Sequence, residues 1–191
     1  MIPAILSLFD YSGNWSAPYK EAGYDVYQID IKHDIDILTI QYDDIVNKNV
    51  YGILAAPPCT DFAGSGAQYW KVKDADGRTE ASLALIDKVL EIVSWFPDIK
   101  FWVLENPVGR LQTLRPQLGK PWYFQPHWYG DPWTKKTGLW GKFNKELPKN
   151  EVAPDPNSWI MKLGGKSERT KELRSMTPPG FAKAFFEANN G

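Results

Sequence analysis

A chain of 191 residues with 43% apolar and 24% charged side chains is long enough for one domain with a full core, and its net charge of -1 excludes a strongly polyanionic or polycationic chain. No run reaches the roughly 18 apolar residues of a membrane span, and "MIPAILSLFD" lacks the basic region and cleavage-like site of a secretory leader. One cysteine excludes an internal disulfide, and with only two scattered histidines it argues against a zinc site. A reducing, cytoplasmic setting is therefore expected, with no metal and no membrane partner.

In chain order, "AILSLFD" (4–10) is a short apolar run ending in an acid and predicts a buried strand. The turn "YSGNWS" leads into a helix at "APYKEAG", closed by Gly23. "YDVYQIDI" alternates and predicts a second strand ending at Asp30, and "YDDIVNKN" predicts a helix. "YGILAA" is another buried strand, running into Pro57-Pro58-Cys59. The helical spacing of Leu83, Leu85, Ile86, Val89, Leu90 and Val93 predicts a long helix over "TEASLALIDKVLEIVSWF". "FWVLENP" reads as a strand stopped by Pro107.

This alternation predicts an α/β fold with a mostly parallel sheet. Adjacent parallel strands need a crossover of about a dozen residues, and too few remain between Asp30 and "DIDILTI". The sheet is expected to be shortened at that edge, with Asp34 or Asp36 presented from a loop. Residues 143–157, rich in Lys, Asn and Pro, read as a connector, and a basic cluster around Gly164-Gly165 precedes a last helix beginning near Pro179. The expected organisation is a core over 1–142, a connector and basic loop over 143–174, and a C-terminal helix over 175–191 that packs back on the core.

Ligands of such sheets gather at the carboxyl ends of the strands. Three ends carry useful groups: Phe9-Asp10 before "YSGN", Pro57-Pro58-Cys59, and Glu105-Asn106-Pro107. A thiol and a carboxyl converging on neighbouring strands make a candidate covalent catalyst with an acid partner. Each has an ordinary alternative, a buried structural thiol for Cys59 and a capping or ion-paired acid for Glu105.

These blocks resemble the DNA cytosine-C5 methyltransferases over nearly the whole chain. "LSLFDYSGNW" resembles the first motif of that family, which builds the S-adenosyl-L-methionine site and places Phe9, Asp10, Tyr11 and Gly13 there. "YQIDIKH" resembles the second, with Asp30 as the ribose-binding acid and Ile31 beside it, and Asp36-Ile37 resembles the pair at the adenine edge. "APPCTDFA" resembles the Pro-Cys-Gln-x-Phe-Ser signature, with Pro57 before the nucleophile Cys59 and Phe62 in the aromatic position. "DGRTEASLALI" is similar to the Asp-x-Arg helix start, and "VLENPVGRL" to the Glu-Asn-Val motif that puts Glu105 on the target base. "YGDPWTKKTGLWG" resembles the Tyr-Gly-x-Pro-Gln-x-Arg-x-Arg block, with Lys135 at an arginine position, and "RSMTPPGFAKAF" the late Arg-x-x-Thr-Pro block.

The resemblance implies a Rossmann-like S-adenosyl-L-methionine-dependent methyltransferase fold and methyl transfer to C5 of cytosine in DNA through a Cys59 adduct. The same chemistry on RNA or a free cytosine nucleotide is one alternative. A catalytically silent nucleic-acid-binding scaffold is another. The departures are Tyr11 for a glycine, Thr60 for glutamine, Lys135 and Thr137 for two arginines, and Pro107 for valine. An Arg-to-Lys change at a bidentate contact is not neutral. Only about thirty residues separate "GLWG" from "RSMTPP", where the family carries a target-recognition domain. Recognition is then weak, or supplied by a protein partner.

Charge bears on this point. Residues 1–100 carry 8 basic and 15 acidic side chains, residues 101–191 carry 14 and 8, and five of the nine tryptophans lie between Trp122 and Trp159. A basic second half facing a polyanion fits that division, as does drift across a solvated surface. Lys162, Lys166, Arg169 and Arg174 are the candidate nucleic-acid-binding residues around the Gly-Gly turn, with a plain charged surface as the alternative. His33 and His127 are read as structural.

Overall fold

A strand buried on both faces belongs inside a parallel sheet covered by helices. In the computed structural model, which describes residues 2–163 and 167–191, all five residues of β1 (Ala4–Leu8) are buried. β1 lies between β2 (Asp25–Ile29) and β3 (Val50–Ala55), and β3 pairs in turn with β4 (Phe101–Pro107). These four strands are parallel. β5 (Trp122–Phe124) and β6 (Thr137–Lys142) then close the sheet antiparallel, in the order β2-β1-β3-β4-β6-β5. The α/β class with a mostly parallel sheet that the alternation predicts, and the Rossmann-like fold that the resemblance implies, are the ones observed.

Alternation along the strands feeds two cores. Leu6, Leu8, Ile53, Ala55 and Leu104 face Leu83, Ile86 and Val89 of α4 (Arg78–Ser94). Ile5, Leu54, Phe101 and Val103 face Trp15, Tyr19 of α1 (Ala17–Glu21), and Phe181 and Phe185 of α7 (Pro179–Ala188). The remaining helices are short: α2 (Tyr42–Ile45), α3 (Trp70–Ala75), α5 (Leu111–Leu114) and α6 (Glu168–Ser175). No helix among the described residues is long and apolar enough to cross a membrane.

Three details differ from the pattern. β1 stops at Leu8, not Asp10, because Phe9 takes a left-handed backbone with φ 62° and leaves the ladder. The helix expected over 42–49 is a single turn. β5 and β6 were not foreseen at all. The shortened edge is present: after Asp30 the chain makes two 3-10 turns, Ile31–His33 and Ile37–Thr39, and β2 remains the outermost strand.

α7 docks by a carboxylate at its N-terminus. Buried Asp131 accepts from the Gly180 N–H at 2.9 Å and the Phe181 N–H at 3.4 Å, satisfying donors that the helix cannot. The approach is close enough that a Cβ on Gly180 would stand 2.0 Å from the Tyr129 carbonyl oxygen. Gly180→Ala should therefore destabilise the fold by about 3 kcal/mol, an overpacking cost plus a loosened cap. Thermal unfolding measures it, and an unchanged midpoint would contradict this docking.

Candidate active site

The sheet register brings the reactive ends together. Leu8 pairs with Ala55 and Ala55 with Leu104, while the Ala56 N–H donates to the Leu8 carbonyl at 3.0 Å. Phe9 and Ala56 therefore leave the sheet at the level of Glu105, which remains within β4. Antiparallel β6 enters at the same level, Thr137 opposite Pro107 and Leu139 opposite Glu105, which sets Lys135 just before it at that edge. Wholly buried Asn106 ties two of the ends, its Nδ2 donating to the Pro57 carbonyl at 3.3 Å.

Beyond Pro58 the chain folds into a tight loop. The Cys59 carbonyl accepts from the Phe62 N–H at 3.0 Å and the Ala63 N–H at 2.9 Å. The loop is bound to the segment after β4: Gly64 N–H donates to Val108 O and Arg110 N–H to Phe62 O, each at 2.9 Å. Gly109 permits this, since a Cβ there would lie 1.9 Å from the Phe62 oxygen. Phe62 is fully buried beneath the loop.

Cys59, Glu105 and Lys135 share one electrostatic environment. Burial pushes the Cys59 thiol up, Glu105 adds to this, Lys135 and the residue's own backbone N–H pull it down, and Asp61 raises it. Burial also pushes the Glu105 carboxyl up, against the pull of Lys135. The site thus favours the neutral forms of both groups more than water does, with one cation to offset either ionisation. The Lys135 ammonium also donates to the Arg174 carbonyl at 3.2 Å, which brings the end of α6 to the same edge.

On the far side of β1, the Asp10 carboxylate accepts from Ser7 Oγ at 2.9 Å, Ser16 Oγ at 2.8 Å and the Ser16 N–H at 3.2 Å, and so shapes the loop through Tyr11 and Gly13. Gly13 has φ +71°, and Gln28 Nε2 donates to the Asp10 carbonyl at 2.6 Å. Tyr11 lies half-exposed on the rim, 5.0 Å from the His33 ring and with the Lys32 ammonium over its face. Asp30 caps the following turn, accepting from the Lys32 N–H at 2.8 Å with one carboxylate oxygen. Asp36 caps the next, accepting from the Leu38 N–H at 2.9 Å, and Ile37 is buried in the core.

A nucleoside-bearing methyl donor fits this donor set. Asp30 could take a ribose hydroxyl on the carboxylate oxygen that does not cap the turn, and the neighbouring Ile31, 67% exposed, could lie against the nucleoside. Among the described residues, no group of three or more His, Cys, Asp or Glu side chains could hold a metal ion.

Lys162, Arg169 and Arg174 are all exposed, and Lys166 and the Gly164-Gly165 turn lie outside the described residues. The structure gathers Cys59, Glu105 and Lys135, with Pro57 held by Asn106, and sets Phe9 to Gly13, Asp30, Ile31, Asp36 and Ile37 along the adjoining β1–β2 edge. Sequence reasoning missed Asp61, Lys73 and Arg110. Asp61 and Arg110 stand inside the quoted blocks, but nothing in the pattern marks Lys73 as buried.

No family model matches the chain, and no curated protein matches it. Solved structures similar to it include the Entamoeba histolytica methyltransferase EhMeth, 14% identical with a TM-score of 0.46 over 87% of this chain and 61% of that one. The S. pombe Dnmt2 methyltransferase is 13% identical with a TM-score of 0.48 over 86% of this chain and 56% of that one. A Spodoptera frugiperda DNMT2 mutant is 21% identical with a TM-score of 0.46 over 86% and 60%. The chain spans about three fifths of the length of these similar chains.

Proposed function

We propose that this chain transfers a methyl group from S-adenosyl-L-methionine to C5 of cytosine in DNA, through a covalent adduct on Cys59. The observation that carries the reading is that Glu105, on β4, acts on Cys59, in the loop after the neighbouring β3, with Lys135 acting on both.

Residue chemistry supports it. The Cys59 thiol must lose its proton before it attacks, and Lys135 is the cation that favours the thiolate. The thiolate sulfur bonds to C6 of the ring while Glu105, whose protonated form burial favours against the pull of Lys135, donates to N3 and takes up the developing charge. The electron pair released to C5 makes that carbon nucleophilic. The bound donor, held by Asp30 and Ile31 with the Phe9–Gly13 loop, supplies the electrophilic methyl group. C5 then loses its proton to a water molecule, the electron pair left behind re-forms the C5–C6 double bond and expels Cys59 as the thiolate, and N3 returns its proton to Glu105. A base inside a duplex cannot enter this edge, so it must be flipped out or already single-stranded. Lys162, Arg169 and Arg174 are the proposed backbone contacts.

Transfer of labelled methyl from the donor to duplex DNA, single-stranded DNA, RNA and free cytosine nucleotide tests the reading. Label in cytosine of DNA is expected. Label confined to RNA or nucleotide would move the substrate, and no label in any of them, with the donor bound, would favour a silent scaffold.

A further inference from the structure

Behind the Cys59 loop lies a buried polar cluster for which the reaction above has no use. The Lys73 side chain, 10% exposed, reaches from α3 with its ammonium 3.1 Å from Asp61 Oδ1, and it also donates to the Thr60 carbonyl. Ser82 of α4 donates to Asp61 Oδ2 at 2.6 Å. Arg110 donates from Nε to the Asp61 carbonyl at 3.1 Å. Its own charge is committed elsewhere: the guanidinium meets both Asp74 oxygens at 2.8 and 2.9 Å, takes in Thr79 Oγ1 at 2.8 Å, and lies 4.7 Å over Trp70. Lys73 is thus the cation that directly pairs with Asp61 among the described residues.

Burying an ammonium and a carboxylate costs several kcal/mol that their attraction seldom exceeds, so an apolar pair would serve stability as well. The position of this pair gives it a different use. Thr60 and Asp61 are the two residues directly after Cys59, and Lys73 holds the backbone of one and the side chain of the other.

We propose that the Lys73–Asp61 pair is the positioning device of the Cys59 loop: Lys73 anchors the loop through the Thr60 carbonyl and cancels the Asp61 charge beside the thiol. This deepens the reading of Cys59 as the nucleophile and rests on it. The titratable groups facing the thiol are Glu105 from β4, Lys135 ahead of β6 and Asp61 in its own loop, and Lys73 from α3 acts on the thiol through Asp61. Without the ammonium, the Asp61 carboxylate opposes formation of the thiolate. Without the carboxylate, the ammonium favours it.

Cys59 is the only thiol in the chain, so alkylation of native protein by iodoacetamide across pH reports on it alone. At pH 8, Lys73→Gln should slow alkylation by about three- to tenfold, and Asp61→Asn should speed it by a similar factor. The double variant, which removes both charges, should return to within about twofold of wild type. Loop damage would move both single variants the same way, so opposed shifts with recovery in the double variant are the signature. Shifts in one direction, or none, would overturn the proposal. A protein that transfers no methyl group yet shows the opposed shifts loses the reading of its reaction and keeps the clamp.

Discussion

Cys59→Ala protein should bind S-adenosyl-L-methionine as tightly as the wild type and transfer methyl to cytosine at least about 10⁴-fold more slowly. The magnitude follows from the chemistry: an aromatic, electron-poor ring does not become nucleophilic at C5 unless a covalent bond at C6 breaks its aromaticity. No other thiol exists in the chain to substitute. Donor affinity is the internal control, since Asp30 and Ile31 directly follow β2, and β1 separates β2 from β3, whose following loop carries Cys59. Calorimetry for the donor and labelled transfer to oligonucleotide measure the two quantities on one preparation. Cys59→Ala protein that still methylates cytosine would falsify the nucleophile assignment. Loss of both binding and transfer would mean that the residue supports the fold instead.

Glu105→Gln should separate activity from stability in opposite directions. The amide keeps the shape of the carboxyl but holds its proton too tightly to share it with N3 as charge develops, so kcat should fall by about 10²- to 10⁴-fold. Stability should rise at neutral pH. Burial lifts the folded-state pKa of Glu105 above its unfolded value, so the group contributes stability that is full below the ordinary carboxylate range and is lost as pH climbs through the raised value. A neutral amide does not ionise, and the Glu105→Gln melting midpoint should exceed that of wild type increasingly as pH rises from 4 to 8. Melts across that range, with kcat on the same samples, decide it. A midpoint that falls together with kcat would point to a structural carboxyl.

Much of this architecture was legible because it is local. The run Ala4–Leu8 and the spacing of Leu83, Ile86 and Val89 state their periods within a few residues, and the shortage of chain after Asp30 fixed the sheet edge by crossover length alone. Cys59 and Glu105 announced themselves as reactive groups directly after apolar runs. β5 and β6 were not legible, since Trp122–Phe124 is three residues long and "TGLWGK" shows no clean alternation. Their strand character comes from antiparallel pairing, β6 with β4 and β5 with β6, between segments apart in sequence. The left-handed Phe9 that ends β1 is likewise a product of its loop, where Asp10 gathers Ser7 and Ser16. Lys73 was the least visible of all. Its helix is a turn and a half long, and its burial depends on Asp61 and Ser82, which only the folded chain brings near.

The proposed reaction requires that the thiol bond to a cytosine ring while the methyl donor is bound. An oligonucleotide carrying 5-fluorocytosine, incubated with the protein and S-adenosyl-L-methionine, tests this because fluorine at C5 cannot leave as a proton does and the adduct cannot resolve. Mass spectrometry of the digested complex should show the methylated fluorocytosine attached to Cys59. Recovery of unmodified Cys59 peptide, with both donor and oligonucleotide bound by calorimetry, would contradict it.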